Sequence, residues 1–266
     1  MSAEREPFDV RDALPSLDGG GWRQAVRWGI DGALGLREVR RRFHAATLQP
    51  GEPFAEAVRS YGLSFDPAPF AKVVPRTGPV VVMANHPFGG ADALTFGAMC
   101  RAHRPDDMLL MANATAARLP VLGDHMLPLS ILGDEESARK NAPSLKRTLL
   151  HLRAGGLLAV FPSGEVASWR GSAVEEAPWS PHIAALAVKC GATVVPMRFF
   201  GRTPAWLHLA GGIHPLLRTA LLPRVLLAMR GHYVEYGMGE AIEPGILRVV
   251  ESPSAFLRDK MLRILA

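Results

Sequence analysis

Pro79-Val80-Val81-Val82-Met83-Ala84-Asn85-His86-Pro87-Phe88-Gly89-Gly90-Ala91-Asp92-Ala93 is the stretch around which the chain is organised. It opens as a short apolar, β-branched run, the pattern of a strand buried on both faces. Asn85-His86-Pro87 breaks that run, and Gly89-Gly90 loosens the chain. From Ala91 a helix is expected, because Ala93, Leu94, Phe96 and Met99 fall at roughly helical spacing. His86 and Asp92 therefore sit where a buried strand hands over to a helix, the edge at which α/β proteins bind ligands. Two readings of the pair stand side by side. Asp92 at a helix start is a cap; an imidazole and a carboxylate on one tight turn are also a base and its orienting partner.

Working outward, residues 108–112, 157–161 and 193–200 read as further buried strands, and residues 233–238 as an edge strand. Helices are expected over 22–46 with a break near Gly35, over 54–61, over 142–154, over 180–190 and over 254–265. For the 142–154 helix, Asn141 is the candidate cap, Pro143 fits the first turn and Gly155-Gly156 closes it. Residues 64–75 read as a linker and 113–134 as a mixed segment with apolar turns. Residues 207–230 are leucine-rich, with Arg218, Arg224, Arg230 and a break at Pro223. They suit a core-packed helical hairpin or an element lying at a membrane interface. Strands alternating with helices imply an α/β fold, one domain with a mostly parallel central sheet flanked by helices. Residues 1–70 would form an N-terminal tail and helical extension, and 71–266 the main domain. If the strands are parallel, Asn85-His86 and Pro162-Ser163-Gly164-Glu165 leave the same edge of the sheet.

A net charge of +5 and a pI of 9.6 favour anionic partners: a membrane surface, an acidic carrier protein or a phosphorylated ligand. Nucleic acid is set aside, since the basic residues lack interleaved aromatics and no recognition motif is present. Arg37, Arg40, Arg41 and Arg42 form a solvated helix face or a contact for anionic headgroups or an acyl carrier. Arg139, Lys140 and Asn141 read as solvated, with a phosphate contact as the sharper alternative. Cys100 and Cys190 define no disulfide framework and suit a reducing compartment. His44, His103, His125, His151, His182, His208, His214 and His232 show no metal spacing and read as surface or packing residues. The polar start carries no secretory signal, and no apolar run approaches the roughly 18 residues that span a bilayer. The expectation is a peripheral protein on the cytoplasmic face of a membrane.

Asn85-His86-Pro87-Phe88-Gly89-Gly90-Ala91-Asp92 resembles the His/Asp signature of the glycerolipid acyltransferase superfamily, of the lysophosphatidate acyltransferase type. Phe161-Pro162-Ser163-Gly164-Glu165 is similar to its second signature, Phe-Pro-Glu-Gly followed by Thr, and Val194-Val195-Pro196-Met197 to its late Val-Pro block. The set runs in the family's order from Gly78 to Gly201, about half the chain. The branch it most resembles holds haemolysin-annotated proteins and enzymes that acylate lyso-ornithine lipids. Gly201-Arg202, Ile213-His214-Pro215 and Leu217-Arg218-Thr219 share that likeness. The chain departs from the common pattern in three places. Five residues, not four, separate His86 from Asp92; Ser163 stands where Glu is usual; Glu165-Val166 stands where Thr-Arg is usual. Gly89-Gly90 can absorb the added residue. Losing the Arg weakens the case for a glycerol-phosphate acceptor, and Glu165 suits an amine or zwitterionic head.

The resemblance implies a glycerol-3-phosphate acyltransferase-like fold and acyl transfer from acyl-CoA or acyl carrier protein to the hydroxyl of a lyso-lipid. That acceptor would be a lyso-ornithine or other aminolipid, or a lysophospholipid. The acyl donor is a co-substrate and no further cofactor is implied. His86 would be the general base and Asp92 its orienting partner. Asn85, Phe88, Gly89, Gly90, Phe161, Pro162, Ser163, Gly164 and Glu165 would contact substrate. Two rival readings are a non-catalytic lipid-binding protein on a degenerate scaffold and a lipid or thioester hydrolase. Ser163 does not by itself argue for the latter, because the Gly-x-Ser-x-Gly elbow is missing.

Overall fold

The computed structural model describes residues 11, 15–114, 116–119, 121–129, 135–170, 173–213 and 215–265. Most of the expected N-terminal tail, part of the mixed 113–134 segment, and His214 lie outside them. In chain order the elements are α1 (Trp22–Leu34), α2 (Leu36–Thr47), α3 (Pro53–Ser60), α4 (Ala68–Val73), β1 (Val80–Ala84), α5 (Gly90–His103), β2 (Met108–Asn113) and β3 (Met126–Leu129). There follow α6 (Glu135–Arg153), β4 (Leu157–Val160), β5 (Ser168–Arg170), β6 (Ala173–Glu175), α7 (Pro181–Cys190) and β7 (Thr193–Phe199). The chain closes with α8 (Ala205–Ile213), α9 (Pro215–Ala228), β8 (Tyr236–Met238), α10 (Pro244–Val249) and α11 (Pro253–Leu262).

The main sheet has the order β3-β2-β4-β1-β7-β8. β1 lies between β4 and β7, with Val80 opposite both Leu157 and Thr193. The ladders among β3, β2, β4, β1 and β7 are all parallel, and only β8 at the edge runs antiparallel. All five β1 residues are buried, because successive side chains enter two different cores. Val80, Val82 and Ala84 pack with Leu94 and Phe96 of α5 and with Phe54 of α3. Val81 and Met83 pack on the other face with Leu152 of α6, Ile183 of α7 and Leu257 of α11. The fold is therefore α/β, with a mostly parallel sheet covered by helices on both faces.

The N-terminal helices contribute to this core. Val39 and Phe43 of α2 and Phe54 and Ala57 of α3 join the same cluster as β1. Gly97 of α5 lets the Phe54 ring press against the helix, where an added Cβ would collide with it. α1 differs, since none of its residues is buried. The break expected near Gly35 is present, with Gly35 at φ 74° ending α1.

Several expectations need correction. The 142–154 helix starts at Glu135, so Asn141 is not its cap and Pro143 lies inside it. Glu135-Glu136-Ser137-Ala138-Arg139-Lys140 contains several good helix formers and extends the helix towards its N-terminus. Pro223 does not break the leucine-rich segment; it lies within α9, carried by the buried Val225 and Leu226 that follow. The supposed linker 64–75 holds α4, with Phe70 buried. β3 and the β5–β6 hairpin have no clear pattern in the sequence, being three or four residues each.

Candidate active site

Because β1 is parallel to both neighbours, its C-terminal end opens at the edge where β4 and β7 also end. Asn85 continues the pairing with its side chain. Its Nδ2 donates to the Phe199 carbonyl at 2.9 Å, and its Oδ1 accepts from the Phe199 N–H at 2.6 Å. The amide clamps β1 to β7 and so fixes where the next residue, His86, emerges. Gly89, at φ 84°, turns the chain into α5.

Asp92 is the third residue of α5 and is fully buried. It is not the N-cap, which is Gly89. Its Oδ2 accepts the Phe88 N–H at 2.8 Å and its Oδ1 the Ala93 N–H at 2.9 Å. A buried carboxylate is costly unless paired in this way, and the first turn of a helix also favours negative charge. His86 Nδ1 lies 3.1 Å from Oδ2. The approach is bent away from hydrogen-bond alignment, since Nδ1 meets no acceptor along its N–H direction. Catalytic contacts without substrate are often aligned in this loose way. The added residue between His86 and Asp92 thus does not separate them.

The imidazole stacks on Phe161 with ring centroids 3.9 Å apart and planes 19° apart. Phe161 in turn meets Phe96 edge-on at 5.4 Å. The imidazole retains 15% exposure and faces a cavity of about 270 Å³. That cavity is lined by Leu110, Met111, Met126 and Leu129 from β2 and β3 and by Leu222 from α9, with Glu165, Arg218 and Thr219 among its polar residues. An apolar slot therefore reaches the histidine.

Phe161 begins the second turn, which brings the two expected signatures into contact. Gly164, at φ 70°, closes the turn and donates to the Phe161 carbonyl at 3.0 Å. Pro162 is buried, and its carbonyl accepts from Ser180 N–H at 2.9 Å. Ser163 Oγ donates to the Glu165 carbonyl at 3.0 Å and lies 3.4 Å from a Glu176 oxygen, so its hydroxyl is engaged within the loop. Glu165 is partly exposed and pairs with Arg170. Of the remaining expected contacts, Gly89 lines the cavity, Gly90 abuts Leu226, and Phe88 turns into the core against Gly201.

Sequence reasoning missed Glu176, and it named Arg218 only within a leucine-rich stretch and a family-like block, with no contact assigned. The Glu176 carboxylate accepts the His86 backbone N–H and the Trp179 indole N–H, the latter at 3.0 Å. With Ser163 beside it, Glu176 ties the two turns together. Burial pushes its pKa above the ordinary carboxylate value, against the lowering effect of the Trp179 and His86 hydrogen bonds. The one available signal was Ser163 in the place of a carboxylate, which left a negative group to be supplied from elsewhere. Arg218 of α9 donates to the carbonyls of Val166 and Ala167, and the Ala167 N–H bonds the His86 carbonyl at 2.9 Å. Burial lowers the Arg218 pKa, while the nearby Glu165 charge raises it.

The basic cluster of α2 is largely consumed within the fold. Arg40 pairs with Asp31, and Arg41 and Arg42 with Glu38, whose pKa drops to about 2 chiefly through its hydrogen bond with Arg41. His103 and His208 are buried packing residues, bonded to Val74 and Thr203. Among the described residues no helix is long and apolar enough to cross a membrane.

Comparison with known proteins found a matching family model, a curated relative and a solved structure. The Acyltransferase family model matches residues 70–199, which contain both turns. A lyso-glycine lipid O-acyltransferase from Phocaeicola vulgatus is 21% identical over 135 residues, 51% of this chain and 47% of the relative. The match thus spans about half the length of that curated relative. The crystal structure of the 1-acyl-sn-glycerophosphate (LPA) acyltransferase PlsC from Thermotoga maritima aligns with 83% of this chain and 84% of its own. Its TM-score is 0.48 and its identity 13%, a likeness too loose to place residues. With the two turns joined at one sheet edge and the Acyltransferase family model spanning them, residues 70–199 form an acyltransferase domain.

Proposed function

We propose that this protein is an O-acyltransferase that moves a fatty acyl chain from acyl-CoA or acyl carrier protein to the hydroxyl of a lyso-lipid. The observation that carries the reading is the His86–Asp92 pair at the wall of an apolar slot. A hydroxyl is a poor nucleophile at neutral pH. His86 Nε2 takes its proton as the oxygen attacks the thioester carbonyl, a contribution typically worth about 10²–10⁴-fold. Asp92 holds the ring with Nδ1 protonated and stabilises the imidazolium. Backbone N–H groups near the Gly89-Gly90 turn would receive the developing oxyanion. Collapse breaks the carbon–sulfur bond, and the thiolate leaves with the proton held by His86. The acyl group passes directly between substrates, without an acyl-enzyme, and the slot holds its chain.

The acceptor we favour has an amino-acid or other aminolipid head. The loss of the second-signature Arg argues against a glycerol phosphate, and the curated relative is named for a lyso-glycine lipid. The protein lies on an anionic membrane surface. Trp22 and Trp28 of α1 are 68% and 65% exposed, with Arg23 and Arg37 over their rings. Trp206 and Leu209 of α8 are exposed as well. Aromatic rings with flanking arginines suit the headgroup level of a bilayer.

The test is to mix purified protein with labelled acyl-CoA or acyl carrier protein and a panel of lyso-lipids. Labelled diacylated product is expected with the wild type and is lost in His86→Ala. Equal release of free fatty acid with and without acceptor would instead identify a hydrolase.

A further inference from the structure

A second cavity, of about 470 Å³, opens on the β7 side of the His86 turn. Asn85 and Pro87, the two residues that flank His86, are part of its wall. Its volume lies in the range of small-molecule sites. Its chemistry differs from that of the apolar slot, because three guanidinium groups line it: Arg198 and Arg202 from the end of β7 and beyond, and Arg258 from α11. Arg198 is committed, donating to the carbonyls of Leu262 and Ile264 at 2.6 and 2.9 Å. Arg258 is not. Its Nε is buried and meets no acceptor among the described residues. Glu176, whose carboxylate feels the Arg258 charge, makes its hydrogen bonds with His86, Trp179 and Ser163 instead. Arg202 stands exposed at the wall.

A buried guanidinium nitrogen without an acceptor is an unfavourable arrangement unless an anion completes it. Resting on the acyltransferase reading above, we infer that this cavity is an anion subsite in which Arg258 and Arg202 receive the carboxylate of the acceptor's head. A carboxylate on the acceptor and a phosphate on the donor share the chemistry that arginine recognises. Two observations favour the acceptor. The residues on either side of His86 in the chain, Asn85 and Pro87, line the cavity, whereas a thioester's phosphates are separated from its carbonyl by the whole pantetheine arm. Glu175 and Glu176 also line the cavity. They oppose a multiply charged phosphate group more than a single carboxylate.

Direct binding tests the inference without any turnover. Full-length protein is titrated with octanoylglycine, with its neutral amide, and with coenzyme A. The wild type is expected to bind the carboxylate about tenfold or more tightly than the amide. Arg258→Gln and Arg202→Gln bring that ratio towards one, Arg258→Lys restores part of it, and the coenzyme A affinity stays unchanged. Near-ultraviolet circular dichroism and melting temperature check each fold. Should Arg258→Gln not fold, Arg202→Gln, at an exposed position, carries the test. A wild type that binds both amphiphiles equally, or variants that keep the full ratio, overturn the subsite. A fall in coenzyme A affinity with the ratio intact overturns its assignment to the acceptor. If the ratio behaves as expected but no acyl transfer is found, the subsite stands and the enzymatic reading fails. If acyl transfer is found without the ratio, the enzymatic reading stands and the subsite fails.

Discussion

The turn after β1 and the turn after β4 leave the same edge of one sheet, yet they are held in place in opposite ways. The first keeps its imidazole and carboxylate within one local segment, although Asn85 and the His86 backbone are tied to Phe199, Glu176 and Ala167. Asp92, six positions after His86, faces its ring and bonds the Phe88 and Ala93 N–H groups. The second is held by residues distant in sequence: Glu176 against Ser163, the Ser180 N–H on Pro162, and Arg218 on the carbonyls just beyond it. The local turn is buried and compact, while the second leaves Gly164 exposed and Glu165 partly so. A contiguous segment can store a base and its partner, because few backbone angles separate them. The second turn is assembled from several elements, so each of its supports can vary independently.

If that contrast is right, the largest loss follows from the local turn. His86→Ala should lower kcat by about 10²–10⁴-fold with little change in melting temperature, read with a labelled donor. Activity within tenfold of wild type would break the comparison at its root. Asp92→Asn comes next, with kcat down by about 10²-fold because the ring loses its tautomer control. It should also destabilise the fold by about 1–3 kcal/mol, since a buried acceptor set is disturbed; urea unfolding measures that.

Glu176→Gln sharpens the comparison, because Glu176 touches both turns. Losing charge-assisted bonds to His86 and Trp179 should reduce kcat/KM about tenfold, with kcat and KM both affected. Its pH signature has a definite sign. Burial raises the folded pKa above the ordinary 4.5. The stability this group contributes is therefore present below 4.5 and is lost as pH rises through the folded value. The melting temperature of Glu176→Gln should gain on the wild type as pH rises from 4.5 through the raised folded value, and a difference that is flat with pH would count against a buried, raised carboxylate. The smallest effect belongs to the second turn's surface. Arg170→Gln, which frees Glu165, should change stability by no more than about 1 kcal/mol, since the pair is solvent-exposed. Its effect on the acceptor's KM should be a few-fold, and a loss as large as that of His86→Ala would make the two turns equals.

Much of this was legible in the chain. β1, β2, β4 and β7 are largely apolar runs because parallel strands are buried on both faces. The His86–Asp92 pairing was legible because it lies within one turn. The glycine that absorbs the added residue, Gly89, was visible too. Glu176 was not, since nothing around it has a period and its role exists only once the β5–β6 hairpin folds back on the turns. Asn85 reads in the sequence as a substrate contact, but its amide serves the backbone of Phe199, 114 positions away. Helix ends were the weakest readings, as at Asn141 and Pro223, because local signals for starting and stopping are overridden by good helix formers and by burial.

By itself, then, the order of residues determined the α/β class, the strand that carries the histidine and the carboxylate that faces it, since each follows from apolar runs and from neighbours along the chain. Tertiary structure alone decided what surrounds them. It supplied the stacking Phe161, the bridging Glu176, the apolar slot on one side of the turn and the arginine-lined cavity on the other. The reason is physical: these groups come from elements far apart in the chain, and only the packing of the helices on the sheet brings them within a few ångströms of His86.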